Sequence, residues 1–135
     1  MRIVLDTNVV VAALRSPSGA SAALIRQVRA GKVQMLMSVP LALEYEAICK
    51  RAEHILAAGI SAQDANVFVT ALVAMAEPVS LFYLWRPQLR DPDDEMVLEA
   101  AVNGQADAIV TFNLKDYIDV SQRFNVQVLT PQEIL

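Results

Sequence analysis

A short aliphatic run near the start of the chain, Ile3-Val4-Leu5, ends in an acid and an amide, Asp6 and Asn8. An ionised carboxylate is costly to bury unless something pairs it, so an acid at the end of such a run calls for partners. Downstream stand Glu44, Asp94 and the Asn113/Asp116 pair. If these positions converge they form a cage of oxygen donors suited to Mg²⁺ or Mn²⁺, whose natural chemistry is phosphodiester cleavage. Two carboxylates about 4 Å apart repel by about 4 kcal/mol at an effective dielectric near 20, so a cluster of three or four needs a cation. The single histidine, His54, and the single cysteine, Cys49, offer no zinc spacing. Cys49 is expected in the core and His54 on a helix surface.

The elements that must position these residues alternate along the chain. Residues 2–5 read as a strand and 8–15 as a short helix. A turn at Ser16-Pro17-Ser18-Gly19 leads to a helix ending near Ala30, with Ser18 or Ser21 as its cap. Residues 34–37 read as a second strand. Ser38 then caps a helix with Pro40 in its first turn, expected to run to about Ala57 and stop near Gly59. Ser61 and Asp64 have capping-box spacing for a helix through Met75. Residues 79–84 read as the third strand and 86–90 as a loop, and Asp91-Pro92 opens a helix to Asn103-Gly104. Residues 108–111 and 126–129 supply the last two strands, and Thr130, Pro131 and Glu133 are a cap, an N1 proline and a box glutamate. Aliphatic strands separated by helices predict one α/β domain over residues 1–135, a three-layer α/β/α sandwich around a parallel five-stranded sheet.

Such sheets bind ligands beyond the carboxyl ends of their strands, where both Asp6 and Thr111-Phe112-Asn113 fall. Asp6 also has a plain alternative role as the N-cap of the next helix. Helical phase separates the remaining acids. Leu41, Tyr45, Ile48 and Ala52 form an apolar stripe with Glu44 at its edge, whereas Glu46 falls on the outer side, four residues before Lys50. In Asp91-Pro92-Asp93-Asp94-Glu95, Asp91 is the expected cap. Asp94 shares the packing face with Val97, Leu98 and Ala101, while Asp93 and Glu95 do not.

Composition narrows the setting. The 135 residues are 55% hydrophobic with four glycines, which suits a packed core and not a disordered chain. No apolar stretch reaches membrane-spanning length and no cleavable leader pattern opens the chain, so a cytoplasmic protein without a membrane span is expected. A net charge of −4 disfavours a passive nucleic-acid binder but suits an acidic site neutralised by cations. Val67, Leu72, Val73 and Met75 suit either core or a homodimer seam, and core is the simpler expectation.

Together these motifs resemble the PIN domain, a family of metal-dependent ribonucleases that includes the toxin halves of VapBC-type toxin–antitoxin pairs. Residues 3–8 resemble its opening motif, and 38–51 (SVPLALEYEAICKR) the helix bearing its glutamate. Residues 90–94 resemble the third acidic motif of one subgroup, and 108–111 the strand before the fourth. The resemblance implies Asp6, Glu44 and Asp94 as catalytic, metal-binding acids. Asp116 would substitute for the fourth acid, because Asn113 stands where many members carry aspartate. It implies Asn8, Thr111 and Asn113 as polar supports, Asp91 as an auxiliary acid, Mg²⁺ or Mn²⁺ as cofactor, RNA as substrate and an antitoxin protein as partner. Arg15, Arg86, Arg90 and Lys115 lie near the motifs as candidates to grip substrate phosphates, and Trp85 as one to stack a base.

Three rivals stand against this reading. A non-catalytic relative binding RNA or protein would follow from the missing acid at Asn113. A receiver-type phosphotransfer domain needs an aspartate ending the third strand, which residues 79–84 lack. A phosphatase of the haloacid dehalogenase class needs an acid two residues after Asp6, where Asn8 stands.

Overall fold

A computed structural model describes residues 1–83, 87–89 and 91–135. The elements are β1 (Arg2–Leu5), α1 (Thr7–Arg15), α2 (Ala20–Arg29), β2 (Gln34–Met37), α3 (Val39–Cys49), α4 (Ala52–Ala58), α5 (Ala62–Met75) and β3 (Glu77–Pro78). They continue with α6 (Pro92–Asn103), β4 (Ala108–Val110), a 3₁₀ turn (Leu114–Asp116), α7 (Ile118–Phe124), β5 (Gln127–Leu129) and α8 (Pro131–Ile134). All strand pairings are parallel and the order is β3-β2-β1-β4-β5. This is the α/β sandwich with a five-stranded parallel sheet that the alternating pattern predicts. Ile3, Val4, Leu5 and Val110 are fully buried, as strands covered on both faces must be. The chain progresses outward from β1 through β2 to β3, then returns to lay β4 on the other side of β1. That reversal is the topological switch point, and Asp6 follows one of its two strands while Thr111 follows the other.

Local chemistry starts most helices where it was expected to. Ser38 Oγ accepts from Leu41 N–H, and Ser61 with Asp64 and Thr130 with Glu133 form complete capping boxes. Asp91 Oδ1 accepts from Asp93 N–H at 2.9 Å, with Pro92 in the first turn. Elsewhere packing overrules the sequence signal. Gly19, not Ser18 or Ser21, holds the cap position of α2, without a side-chain bond. The helix expected to reach residue 57 breaks after Cys49, and Arg51 is extended before α4 begins. Lys50, Arg51 and Ala52 are all good helix formers, so the break follows from packing α4 against α1 and not from propensity. Gly59, in the left-handed region at φ 70°, ends α4.

The expected third strand over 79–84 is another correction. Ladder pairing is confined to Glu77–Pro78, followed by Val79 N–H donating to Met37 O at 2.9 Å. The chain then leaves the sheet for the end of α6, where Asn103 Oδ1 accepts from Phe82 and Tyr83 N–H at 2.9 Å each and its Nδ2 donates to Tyr83 O. Leu84 lies outside the described residues. Arg2 braces this corner, donating to both Glu77 carboxylate oxygens at 2.9 and 2.6 Å and to Gly104 O at 2.9 Å. Gly104 is needed there, because a Cβ would lie 2.8–2.9 Å from Ala100 O, Leu36 and Val79.

The core joins the sheet to Val9, Leu24, Leu41, Tyr45, Leu72, Val97 and Tyr117. Cys49 is buried in it, as expected. Of the apolar positions on α5, Leu72 is core and Met75 half-buried, but Val67 and Val73 are exposed and correct the core expectation for those two. Glu46 pairs with Lys50 at 2.8 Å, as its phase required. Among the described residues no single helix is long and apolar enough to cross a membrane.

Candidate active site

Asp6 closes the β1–β4 ladder, its N–H donating to Val110 O at 2.9 Å, and its side chain turns over the start of α1. Oδ1 accepts from Thr7 N–H at 2.7 Å and Oδ2 accepts from the Thr111 hydroxyl at 2.7 Å. Asp6 therefore caps α1 and also faces the carboxyl end of the sheet; the two roles coexist. Thr111 is fully buried. Its hydroxyl in turn accepts from Asn113 N–H at 3.0 Å and from Asn8 Nδ2 at 3.4 Å, while Asn8 Oδ1 accepts from Phe112 N–H at 3.4 Å. Asn8, Thr111 and Asn113 thus form one connected support beneath Asp6. Tyr45 adds to it from α3, donating its hydroxyl to Leu5 O.

Helical phase correctly places Asp94, on the first turn of α6, on the inner face: it is 8% exposed. A third buried group, Tyr117, joins the two acids. Its hydroxyl donates to Asp94 Oδ1 at 3.1 Å and also faces Asp6. Burial, with the Asp6 charge second, pushes the Asp94 carboxyl up to about 7, against the stabilising Tyr117 hydroxyl. Burial also raises Asp6, opposed by the bonds from Thr111, Thr7 and Tyr117. Tyr117 itself is held far above the ordinary phenol range by burial and by both carboxylates, so it stays a neutral donor. Nothing in the sequence marked Tyr117 beyond its being an aromatic residue with a polar tip one position after Asp116.

The other candidates stand further out. Glu44 is half-buried on α3; burial raises its carboxyl, as do Asp93 and Asp91, while Arg51 opposes them. It belongs with those rim acids and not with the Asp6–Asp94 pair. Asp116 is exposed but lines a cavity of about 530 Å³ with Asp91, Asp94, Asp119 and Lys115. A larger cavity of about 660 Å³ beside Met1, Gln105 and Asn125 contains none of the candidate acids, so the chemistry points to the smaller one. Arg15 is exposed at the far end of α1, 3.5 Å from the His54 ring, away from this cavity. Arg86, Arg90 and Trp85 lie outside the described residues.

Glu95 corrects the phase argument. It is only 3% exposed, and its Oε1 accepts from Gln88 and Leu89 N–H at 2.6 and 2.7 Å. Gln88 and Leu89 form one wall of the acidic cavity, so Glu95 pins that wall from behind.

Among the described residues, no three of the Asp, Glu, His and Cys side chains are close enough to enclose a metal ion. What exists is a pair, Asp6 and Asp94, desolvated, like-charged and oriented by hydroxyls. Mg²⁺ is commonly held by one or two carboxylates and keeps its remaining positions for water and substrate phosphate, and this donor set fits that mode.

The parallel five-stranded sheet between helices defines an α/β class of fold, and the chain belongs to the PIN domain family, whose model matches residues 2–115. Among solved structures it is similar to VapBC2 from Rickettsia felis bound to a DNA fragment from their promoter, with a TM-score of 0.65 and 15% identity, over 96% of this chain and 97% of that chain. It is also similar to VapBC-1 from nontypeable Haemophilus influenzae, with a TM-score of 0.66 and 13% identity, over 98% of this chain and 99% of that one. At such identities the likeness is one of fold. No curated protein matches the sequence.

Proposed function

We propose that the chain is a cytoplasmic, metal-dependent ribonuclease that hydrolyses RNA phosphodiester bonds and acts as the toxin of a toxin–antitoxin pair. The observation that carries this reading is the buried pair Asp6 and Asp94, brought to the switch point of the sheet and joined by one phenolic hydroxyl. Two desolvated carboxylates in contact with one donor are a poor arrangement for stability alone and a good one for a divalent cation. Asp6 and Asp94 would hold Mg²⁺ or Mn²⁺, which, when bound, supplies Lewis acidity and a water of lowered pKa.

The chain's own groups set the geometry. Thr7 and Thr111 fix both oxygens of Asp6, and Tyr117 fixes one oxygen of Asp94. Glu44, Asp91 and Asp116 add negative charge around the pair, which favours the cation and its hydration shell. Lys115 is exposed and lines the cavity, where it would meet a substrate phosphate. The family membership supports nuclease chemistry, and the two structural relatives, both VapBC proteins, support an antitoxin encoded with this chain.

The test is to incubate the purified chain with structured and single-stranded RNAs in Mn²⁺, Mg²⁺ or EDTA, beside Asp6→Asn and Asp94→Asn variants. Cleavage by the wild type that disappears in EDTA and in both variants is expected. A folded wild type that neither cleaves nor gains thermal stability from either cation would instead indicate a binding module, consistent with Asn113 at the fourth position.

A further inference from the structure

Tyr117 meets both inner acids, and neither sequence motif nor family resemblance assigns it a role. It comes from the segment between the 3₁₀ turn and α7, is fully buried, and directs its hydroxyl at Asp94 Oδ1, 3.1 Å away, while also facing Asp6. A phenol hydroxyl carries one hydrogen, so it can donate to a single carboxylate oxygen at a time. Asp6 has donors of its own in Thr7 and Thr111. Asp94 does not: among the described residues Tyr117 is the donor its side chain meets, and Oδ2 is bonded by none. Asp94 also lines the acidic cavity. The phenol therefore fixes one oxygen of Asp94 from the buried side and leaves the other for the cavity.

We propose that Tyr117 is the positioning residue of the acidic pair, orienting Asp94 so that its free oxygen and Asp6 bind one divalent cation together. The inference rests on the metal site proposed above. Hydrogen bonds to the ligands of a metal site fix their orientation, and losing one typically weakens metal binding about 10–100-fold. Tyr117→Phe removes only the hydroxyl and keeps the ring that fills the core. Its effect falls on the cation and on turnover, not on the grip of the cavity on RNA.

Mn²⁺ binding measured by the loss of the free-ion electron paramagnetic resonance signal reads this directly, without catalysis. Tyr117→Phe is expected to bind Mn²⁺ at least about tenfold more weakly than the wild type, with its circular dichroism unchanged. In RNA cleavage it is expected to lower kcat while leaving KM near the wild-type value. Tyr117→p-aminophenylalanine, which keeps the ring and puts an N–H donor where the hydroxyl stood, is expected to recover part of the affinity and serves as the comparison if the phenylalanine variant does not fold. Equal Mn²⁺ affinity in wild type and Tyr117→Phe would overturn the role of Tyr117 while leaving the metal site standing. So would equal losses in the phenylalanine and p-aminophenylalanine variants. A wild type that binds no Mn²⁺ would overturn the metal site itself, and the role of Tyr117 with it.

Discussion

The Thr111 hydroxyl donates to Asp6 Oδ2 at 2.7 Å across the seam where β1 and β4 run side by side. The bond joins the first residues beyond the two strands at which the sheet reverses its order, and both groups are buried. Thr111→Val keeps the shape and removes the donor, leaving a buried carboxylate short of one partner. The expected cost is roughly 1–3 kcal/mol, measured by urea unfolding. A variant as stable as the wild type would show that the bond contributes nothing to the fold.

Stability should depend on pH through Asp94. Burial and the Asp6 charge raise it to about 7 in the fold, whereas an unfolded aspartate titrates near 3.9. Between those values the folded chain keeps a proton that the unfolded chain has lost. Stability is therefore fullest on the acid side and declines as pH rises from about 4 through about 7. Asp6, raised by burial, acts in the same direction. In EDTA, Asp94→Asn is expected to gain Tm relative to the wild type at about pH 8 compared with about pH 5. If the gap between the two proteins is the same at both pH values, the Asp94 carboxyl is not raised in the fold.

Glu95 holds the cavity wall through two short bonds to backbone N–H groups. Removing the acceptor shared by two part-buried donors is expected to cost roughly 1–3 kcal/mol in Glu95→Ala. Hydrogen exchange at the Gln88 and Leu89 amides should quicken at the same time. Unchanged exchange at both amides would mean that something else shields them.

Cys49 gives a chemical check of the core. Burial pushes its thiol up to about 11, and the reactive form is the thiolate. Ellman's reagent should leave the native chain unmodified near neutral pH and titrate one thiol per chain in urea. Prompt reaction of the native protein would show that α3 opens readily around Cys49.

What the sequence disclosed follows from how far each signal reaches. Ser38, Ser61 with Asp64, Asp91 with Pro92 and Thr130 with Glu133 bond within four residues, so their helix starts were legible as local chemistry. Asp94 was legible because its phase matches Val97, Leu98 and Ala101. The same reasoning failed for Glu95, because a helical wheel assumes solvent on the unmatched side, and here the segment around Gln88 and Leu89 covers it. Tyr117 and α7 fell in a stretch with no periodic signal. The break after Cys49 had no local cause at all. The four acids do share one end of the molecule, but how near each comes to the others depends on loop geometry that no spacing encodes.

The brevity of β3 has a consequence for how this chain can be approached. Successive residues of a strand turn their backbone groups to opposite sides, and Val79 N–H points inward to Met37 O. The backbone nitrogen at position 78 therefore faces the open border, where proline has no hydrogen to offer. One residue earlier, the Glu77 side chain is already engaged by Arg2. A visiting chain finds no zipper to extend on this flank, so recognition there must be by side chains.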